Sequence, residues 1–241
     1  QNCVPGMTNR YLAKLAKRVL QAFPGTFPES GNALDCGNPV RGSVASLPAP
    51  NQRFFQRSGR PRLLVTGGSQ GARTLNEQLP HALARLDEDC RPRVFHQAGR
   101  ADMESTRHAY EEVGVQADVV EFITEIADAY AWADLVVCRA GALTVSELAA
   151  VGLGAVLVPF PHAVDDHQTR NARFLADSGA ARIMPEDNLG PGTLAELLAP
   201  LLGSRPAMLE MANAAYEVGI RDAAERVADA CRPWIGEGAD Q

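Results

Sequence analysis

From residue 62 to about residue 202 short apolar runs alternate with helical stretches, and that alternation restricts this chain to a parallel α/β sheet more tightly than any other feature. The β-rich runs fall at 62–66, 93–97, 118–122, 135–138, 155–159 and 181–184, with helical periodicity at about 72–86, 102–113, 125–132, 143–152, 167–178 and 193–202. Runs such as Asp134-Leu135-Val136-Val137-Cys138 and Ala155-Val156-Leu157-Val158-Pro159 are continuous rather than alternating. A strand apolar at every residue is covered on both faces, the condition of parallel strands with helices above and below. The pattern predicts a doubly wound, Rossmann-like sheet of about six strands. Met208 to Cys231 reads as two further helices.

Ahead of the sheet, apolar residues at 11, 12, 15, 19 and 20 predict an amphipathic helix from Thr8 to Phe23, capped by Thr8 or Asn9. Its stripe of Arg10, Lys14, Lys17 and Arg18 reads as a solvated face. Prolines at 24, 28, 39, 48, 50 and 61 make the stretch from Pro24 to Pro61 a linker. The expected organisation is therefore a helix in 1–23, a linker in 24–61 and the sheet with its C-terminal helices in 62–241. A chain that starts Gln1-Asn2-Cys3, with no initiator Met, is expected to be a piece of a longer protein.

The balance of 23 basic against 29 acidic residues, a net charge of -6, lacks the basic character of a nucleic-acid binder, so an anionic ligand has to be held locally. The cysteines, Cys3, Cys36, Cys90, Cys138 and Cys231, are odd in number and form no CxxC pair, which fits a reducing cytosol better than a disulfide framework or a zinc site. No run of eighteen apolar residues occurs, which argues against a spanning helix and leaves peripheral membrane contact open.

Three strand-to-helix loops could carry chemistry. Gly67-Gly68-Ser69-Gln70-Gly71-Ala72 lets backbone amides approach a phosphate beside a helix N-terminus, but it lacks the P-loop lysine and the GxGxxG spacing, and a tight turn that needs glycine explains it equally well. Arg139-Ala140-Gly141-Ala142 opens a second helix, so two small-residue loops line one sheet edge, where open α/β sheets bind ligands. In Leu143-Thr144-Val145-Ser146-Glu147, the Glu either closes a capping box with Thr144 or accepts bonds from two ribose hydroxyls. The third loop, Pro159 to Gln168, concentrates His162, Asp165, Asp166, His167 and Gln168; these suit sugar hydroxyls, with a metal site or helix capping by either Asp as rivals. Arg41 follows Asn38-Pro39 in the linker and matters only if it faces the crevice. His81, His96 and His108 read as surface or core residues.

Together, Gly37-Asn38-Pro39-Val40-Arg41, Gly67 to Ala72, Tyr130-Ala131-Trp132-Ala133-Asp134, Cys138 to Glu147 and Asp165-Asp166-His167-Gln168 resemble the MurG family of bacterial transferases, and the resemblance runs from Gln1 to about Cys231. It implies a GT-B glycosyltransferase fold and transfer of N-acetylglucosamine from UDP-N-acetylglucosamine to lipid I, giving lipid II at the cytoplasmic face of the inner membrane. It also implies roles for particular residues. Ser69 and Arg41 would contact the donor diphosphate and its surroundings, the backbone at Ile123 would read the uracil edge, and the amides from Ala142 through Leu143 to Thr144 would receive phosphate. Val145 and Ser146 count as substrate-binding in the same run, Glu147 would hold the ribose, Gln168 and His167 the sugar hydroxyls, and Asn2 would add a contact from the other domain.

The family's N-terminal acceptor domain carries the proposed general base and touches the membrane. Only its last helix is expected here, so the segment should bind donor without turnover, no catalytic residue is assigned, and the tail helices should be poorly held. The implied chemistry is an inverting displacement that uses neither cofactor nor metal. A nicotinamide oxidoreductase on the same sheet, a separate donor-binding subunit and another UDP-sugar-using GT-B enzyme are the rival readings.

Overall fold

The computed structural model describes residues 1–28, 31–67, 72–161 and 166–234. The chain enters through a short helix, α1 (Met7–Ala13), then forms strand β1 (Val19–Gln21), paired in parallel with β2 (Ala33–Asp35). The helix expected to reach Phe23 thus stops at Ala13. The β-branched Val19 takes a partner fourteen residues on, Ala33, and local periodicity cannot register such a pairing. The basic stripe is exposed as expected, but α1 buries none of its residues, and Met7, Tyr11, Leu12 and Leu15 are exposed as well.

The proline-rich stretch that reads as linker holds β2 and two short helices, α2 (Gly42–Ala45) and α3 (Pro50–Phe54). Pro50 sits in the first turn of α3, where its missing N–H has no helical partner to lose. The next turn of α3 presents Arg53, which is buried and donates to the carbonyls of Pro48, Tyr130, Val151 and Gly152. Just beyond it Arg57 pairs with the buried carboxylate of Asp134. Proline here punctuates packed elements rather than marking free chain.

The main sheet contains β3 (Arg62–Thr66), β4 (Arg93–Gln97), β5 (Ala117–Val120), β6 (Leu135–Cys138), β7 (Ala155–Leu157) and β8 (Ala181–Ile183), all parallel, in the order β5-β4-β3-β6-β7-β8. Helices α4 (Arg73–Ala84), α5 (Met103–Glu112), α6 (Ile126–Trp132), α7 (Ala142–Val151), α8 (His167–Ala176) and α9 (Pro191–Leu202) alternate with the strands, and α10 (Arg205–Val218) and α11 (Ala223–Cys231) follow. Every strand and helix expected between residues 62 and 202 is present within a few residues of its expected bounds.

The continuous apolar runs now have their explanation. Leu63, Val65, Leu135, Val137 and Val156 face one cluster with Leu75, Leu79 and Leu83 of α4 and with α9 and α10; Leu64, Val136, Ala155 and Leu157 face the other, with α6, α7 and α8. Alternate residues of one strand therefore enter two cores. His96 on β4 belongs to neither cluster: it is fully buried between the Tyr110 hydroxyl and Asn76 Oδ1, 3.0 Å from each, and burial pushes its pKa down to about 3.

Of the tail helices, α10 is better held than expected, whereas α11 buries only Ala223. Met208, Met211, Ala212 and Ala215 of α10 are buried, packing against α7, α3 and α9. Between α10 and α11 the chain runs directly over the end of α7: a Cβ on Gly219 would stand 2.5 Å from the Ala149 carbonyl carbon and 2.9 Å from the Ala150 nitrogen. Because that obstacle is backbone, Gly219→Ala is expected to destabilise the fold by about 2–3 kcal/mol. Denaturant unfolding measures this; a loss below about 0.5 kcal/mol would show that the turn does not bear on α7 as described.

Candidate functional site

The strand order places a topological switch point between β3 and β6, whose following helices lie on opposite faces. Ligand crevices of open α/β sheets form there, beyond the carboxyl ends of the strands. Thr66 and Cys138 end these two strands in register. Beyond Thr66, Gly67 leads toward α4; Ser69 lies outside the described residues. Beyond Cys138, Arg139 to Gly141 lead into α7, so Gly67 and the Arg139–Gly141 loop leave the sheet from adjacent strand ends.

Gly141 is the N-cap of α7, and the Val145 N–H returns to its carbonyl at 2.9 Å. The amides of Ala142, Leu143 and Thr144 belong to the first turn and have no helical acceptor, which makes them an anion-binding feature. Val145 stands behind them, fully buried with its N–H spent. Thr144 is inside the helix rather than at its cap, so the capping-box alternative for Glu147 falls.

Glu147 instead turns inward. It is 6% exposed, and its Oε2 accepts from the Tyr130 hydroxyl of α6 at 3.0 Å, while Oε1 has no partner among the described residues. Burial raises the Glu147 pKa, opposed by the Tyr130 hydrogen bond and by the positive field of Arg41. Arg41, the exposed N-cap of α2, lies near enough for its charge to act on Glu147. In the sequence Tyr130 stands only as the first residue of the Tyr130-to-Asp134 motif, with nothing local to assign it a role.

Ser146 and Asn2 serve as fasteners. The Ser146 hydroxyl donates to Ala142 O at 3.0 Å and accepts from Asn38 Nδ2 at 2.9 Å, which ties the segment carrying Arg41 to α7. Asn171 of α8, fully buried, donates to Asn2 Oδ1 at 3.1 Å and to Ala140 O at 3.2 Å, and accepts from Cys3 N at 3.0 Å. A polar residue on the apolar face of α8 was the available signal for Asn171.

Helix α8 opens with His167 and Gln168, on Asp166 in the left-handed region at φ 50°. Thr169 Oγ1 donates to Asp166 Oδ1 at 2.6 Å. Gln168 Oε1 accepts from Phe160 N at 3.0 Å, which leaves its amide N–H groups without a partner among the described residues. His162 and Asp165, needed by the metal alternative, lie outside the described residues. Ile123, in the loop after β5, is buried in the same cluster as Tyr130. On the far rim, Arg139 donates to Glu186 Oε2 at 2.5 Å, and Thr74 of α4 donates to Glu186 Oε1 at 2.6 Å. That carboxylate bridges the loop after β6, the turn after β8 and the start of α4, a connection the sequence reading did not anticipate.

A doubly wound parallel sheet of this order, with its crevice at the switch and helices crossing back after the last strand, places the protein among the GT-B glycosyltransferases. Residues 62–227 match the glycosyltransferase family 28 C-terminal domain, and the chain belongs to that family. It is 54% identical over 231 residues to a UDP-N-acetylglucosamine--N-acetylmuramyl-(pentapeptide) pyrophosphoryl-undecaprenol N-acetylglucosamine transferase of Marinobacter nauticus, covering 96% of this chain and 64% of that protein. A protein of the same name from Aeromonas hydrophila is 54% identical over 233 residues, covering 96% and 63%. The crystal structure of Acinetobacter baumannii MurG superposes with a TM-score of 0.87 at 40% identity, covering 96% of this chain and 65% of that one. The chain therefore spans just under two thirds of the length of these relatives. No helix among the described residues is long and apolar enough to cross a membrane.

Proposed function

We propose that this chain supplies the donor site of an enzyme that transfers N-acetylglucosamine from UDP-N-acetylglucosamine to undecaprenyl-pyrophosphoryl-N-acetylmuramoyl-pentapeptide, lipid I. The observation that carries the reading is the juxtaposition, at the switch point, of the unpaired first-turn amides of α7 with the Glu147 carboxylate, one of whose oxygens is engaged and the other open. The names and identities of the relatives supply the substrates.

In this arrangement the amides of Ala142 to Thr144 receive the diphosphate and Glu147 Oε1 accepts from the ribose hydroxyls. The backbone at Ile123 reads the uracil, Gln168 and His167 the sugar hydroxyls, and Arg41, Ser69 and Asn2 border the donor. As the acceptor hydroxyl attacks the anomeric carbon with inversion, negative charge grows on the departing UDP. Fixed amides at a helix N-terminus stabilise that charge without reorganising. The acceptor site, the general base and the peripheral contact with the cytoplasmic face of the inner membrane belong, in this reading, to the part of the relatives' length that this chain does not span, so the segment alone binds without turnover.

Isothermal titration with UDP-N-acetylglucosamine, UDP-N-acetylgalactosamine and NADH, each with and without chelator, tests the proposal. Binding strongest for UDP-N-acetylglucosamine and indifferent to chelator is expected. Binding of NADH alone, as the rival oxidoreductase requires, would overturn it.

A further inference from the structure

We infer that Tyr130 is a positioning residue for Glu147: its buried hydroxyl holds one carboxylate oxygen so that the other is presented to a vicinal diol, and selectivity for ribose over a 2′,3′-dideoxy sugar thereby depends on a side chain that does not touch the ligand. The inference rests on the reading of Glu147 as the ribose-binding group.

Tyr130 is 3% exposed and its hydroxyl reaches Glu147 Oε2 at 3.0 Å. Its main chain is fixed as well. Arg53 Nη1 donates to Tyr130 O at 3.2 Å while Nη2 donates to Val151 O at 2.9 Å and to Gly152 O, so one guanidinium clamps α6 to the far end of α7. The two helices that carry the hydroxyl and the carboxylate are therefore locked at a set separation. Burial, and then the Glu147 charge, push the Tyr130 phenol well above its ordinary pKa, so it remains a proton donor. The other ionisable groups acting on the pair are the Arg41 guanidinium and the buried Cys138 thiol, which burial pushes up to about 12 and so keeps neutral.

A hydroxyl that only needed satisfying could use a main-chain carbonyl. Using the carboxylate of Glu147, itself 6% exposed, instead carries a desolvation cost that an incoming hydroxyl can offset. Glutamate has several rotatable bonds, and a carboxylate already tethered at one oxygen loses less freedom when the ligand arrives.

The test compares binding of UDP and 2′,3′-dideoxy-UDP to the parent protein and to variants, with circular dichroism to verify folding. The parent is expected to prefer UDP by about 100-fold, the scale of two hydrogen bonds to a charged acceptor. Tyr130→Phe keeps the ring and should weaken UDP by about 10-fold while changing dideoxy-UDP by less than about twofold. In a Glu147→Ala background the same exchange should change UDP binding by less than about twofold, because the residue it acts through is gone. Glu147→Asp, too short to reach both Tyr130 and the diol, should lose the preference too, and it decides the matter should Tyr130→Phe fail to fold.

Equal losses of both ligands in Tyr130→Phe would mark a merely structural role and overturn the inference, as would unchanged UDP binding or a preference fully kept by Glu147→Asp. A parent protein that binds the two ligands equally overturns the ribose role of Glu147 and the inference with it. A parent that binds neither overturns the donor-site reading itself.

Discussion

Glu147→Ala is expected to weaken UDP binding by about 100-fold while leaving the fold close to its parent stability. A hydrogen bond to a charged acceptor contributes about 1.5–3 kcal/mol, and two ribose hydroxyls on one carboxylate therefore amount to roughly 3 kcal/mol, about two decades in affinity. The stability effect is smaller because opposing terms meet. The Tyr130 hydroxyl loses its acceptor, but a carboxylate whose pKa is raised by burial is removed too, and with it the desolvation of its charged form. Titration of UDP and a thermal melt measure the two quantities. Affinity within twofold of the parent would exclude Glu147 from the site, whereas a large loss of stability would mean that the carboxylate holds α6 to α7 rather than serving a ligand.

Asp134→Ala should do the reverse, costing about 3–5 kcal/mol of stability with little effect on binding by the molecules that remain folded. The Asp134 side chain is wholly buried at the amino end of β6, at the opposite end of the sheet from the crevice. It pairs with Arg57, accepts from the Arg62 N–H at 3.0 Å and lies 3.6 Å from Arg205 Nη2. Arg57, 10% exposed, is left without its counter-charge when the carboxylate goes, and Arg205 of α10 loses its anchor to the sheet. For a protein of this size the melting temperature should fall by roughly 10 °C. A shift under 2 °C would mean that the carbonyls of Ala131 and Ala133, which Arg57 also engages, suffice to hold it.

The sheet, and the strand ends at which the donor site is proposed, were legible because their signals are local. A continuous apolar run such as Leu135 to Cys138 can only be a strand covered on both faces, and glycine or alanine immediately beyond it marks the loop at its carboxyl end. Glu147 could be read as a candidate but not decided, since Thr144-x-x-Glu147 satisfies a capping box on paper and only the observed start of α7 at Ala142 removes that option.

What escaped the sequence depends on partners far along the chain. Arg53 sits in a stretch that composition marks as linker, yet three of its four acceptors lie 77, 98 and 99 residues away. Tyr130 looks apolar until its hydroxyl meets a carboxylate 17 positions on, and Asn171 gathers Asn2 and Cys3 from the chain's first residues. The expected helix over Thr8 to Phe23 failed for the same reason: Val19 to Gln21 satisfy their backbone groups against Ala33 to Asp35.

The central claim is a location, and a crystal structure of the protein with UDP-N-acetylglucosamine tests it most directly. The account predicts the diphosphate against the first-turn amides of α7, between the ends of β3 and β6, with the ribose hydroxyls at Glu147. A nucleotide seated instead in the roughly 660 Å³ cavity lined by Arg10, Lys14 and Arg170, with the switch point left unoccupied, would contradict it.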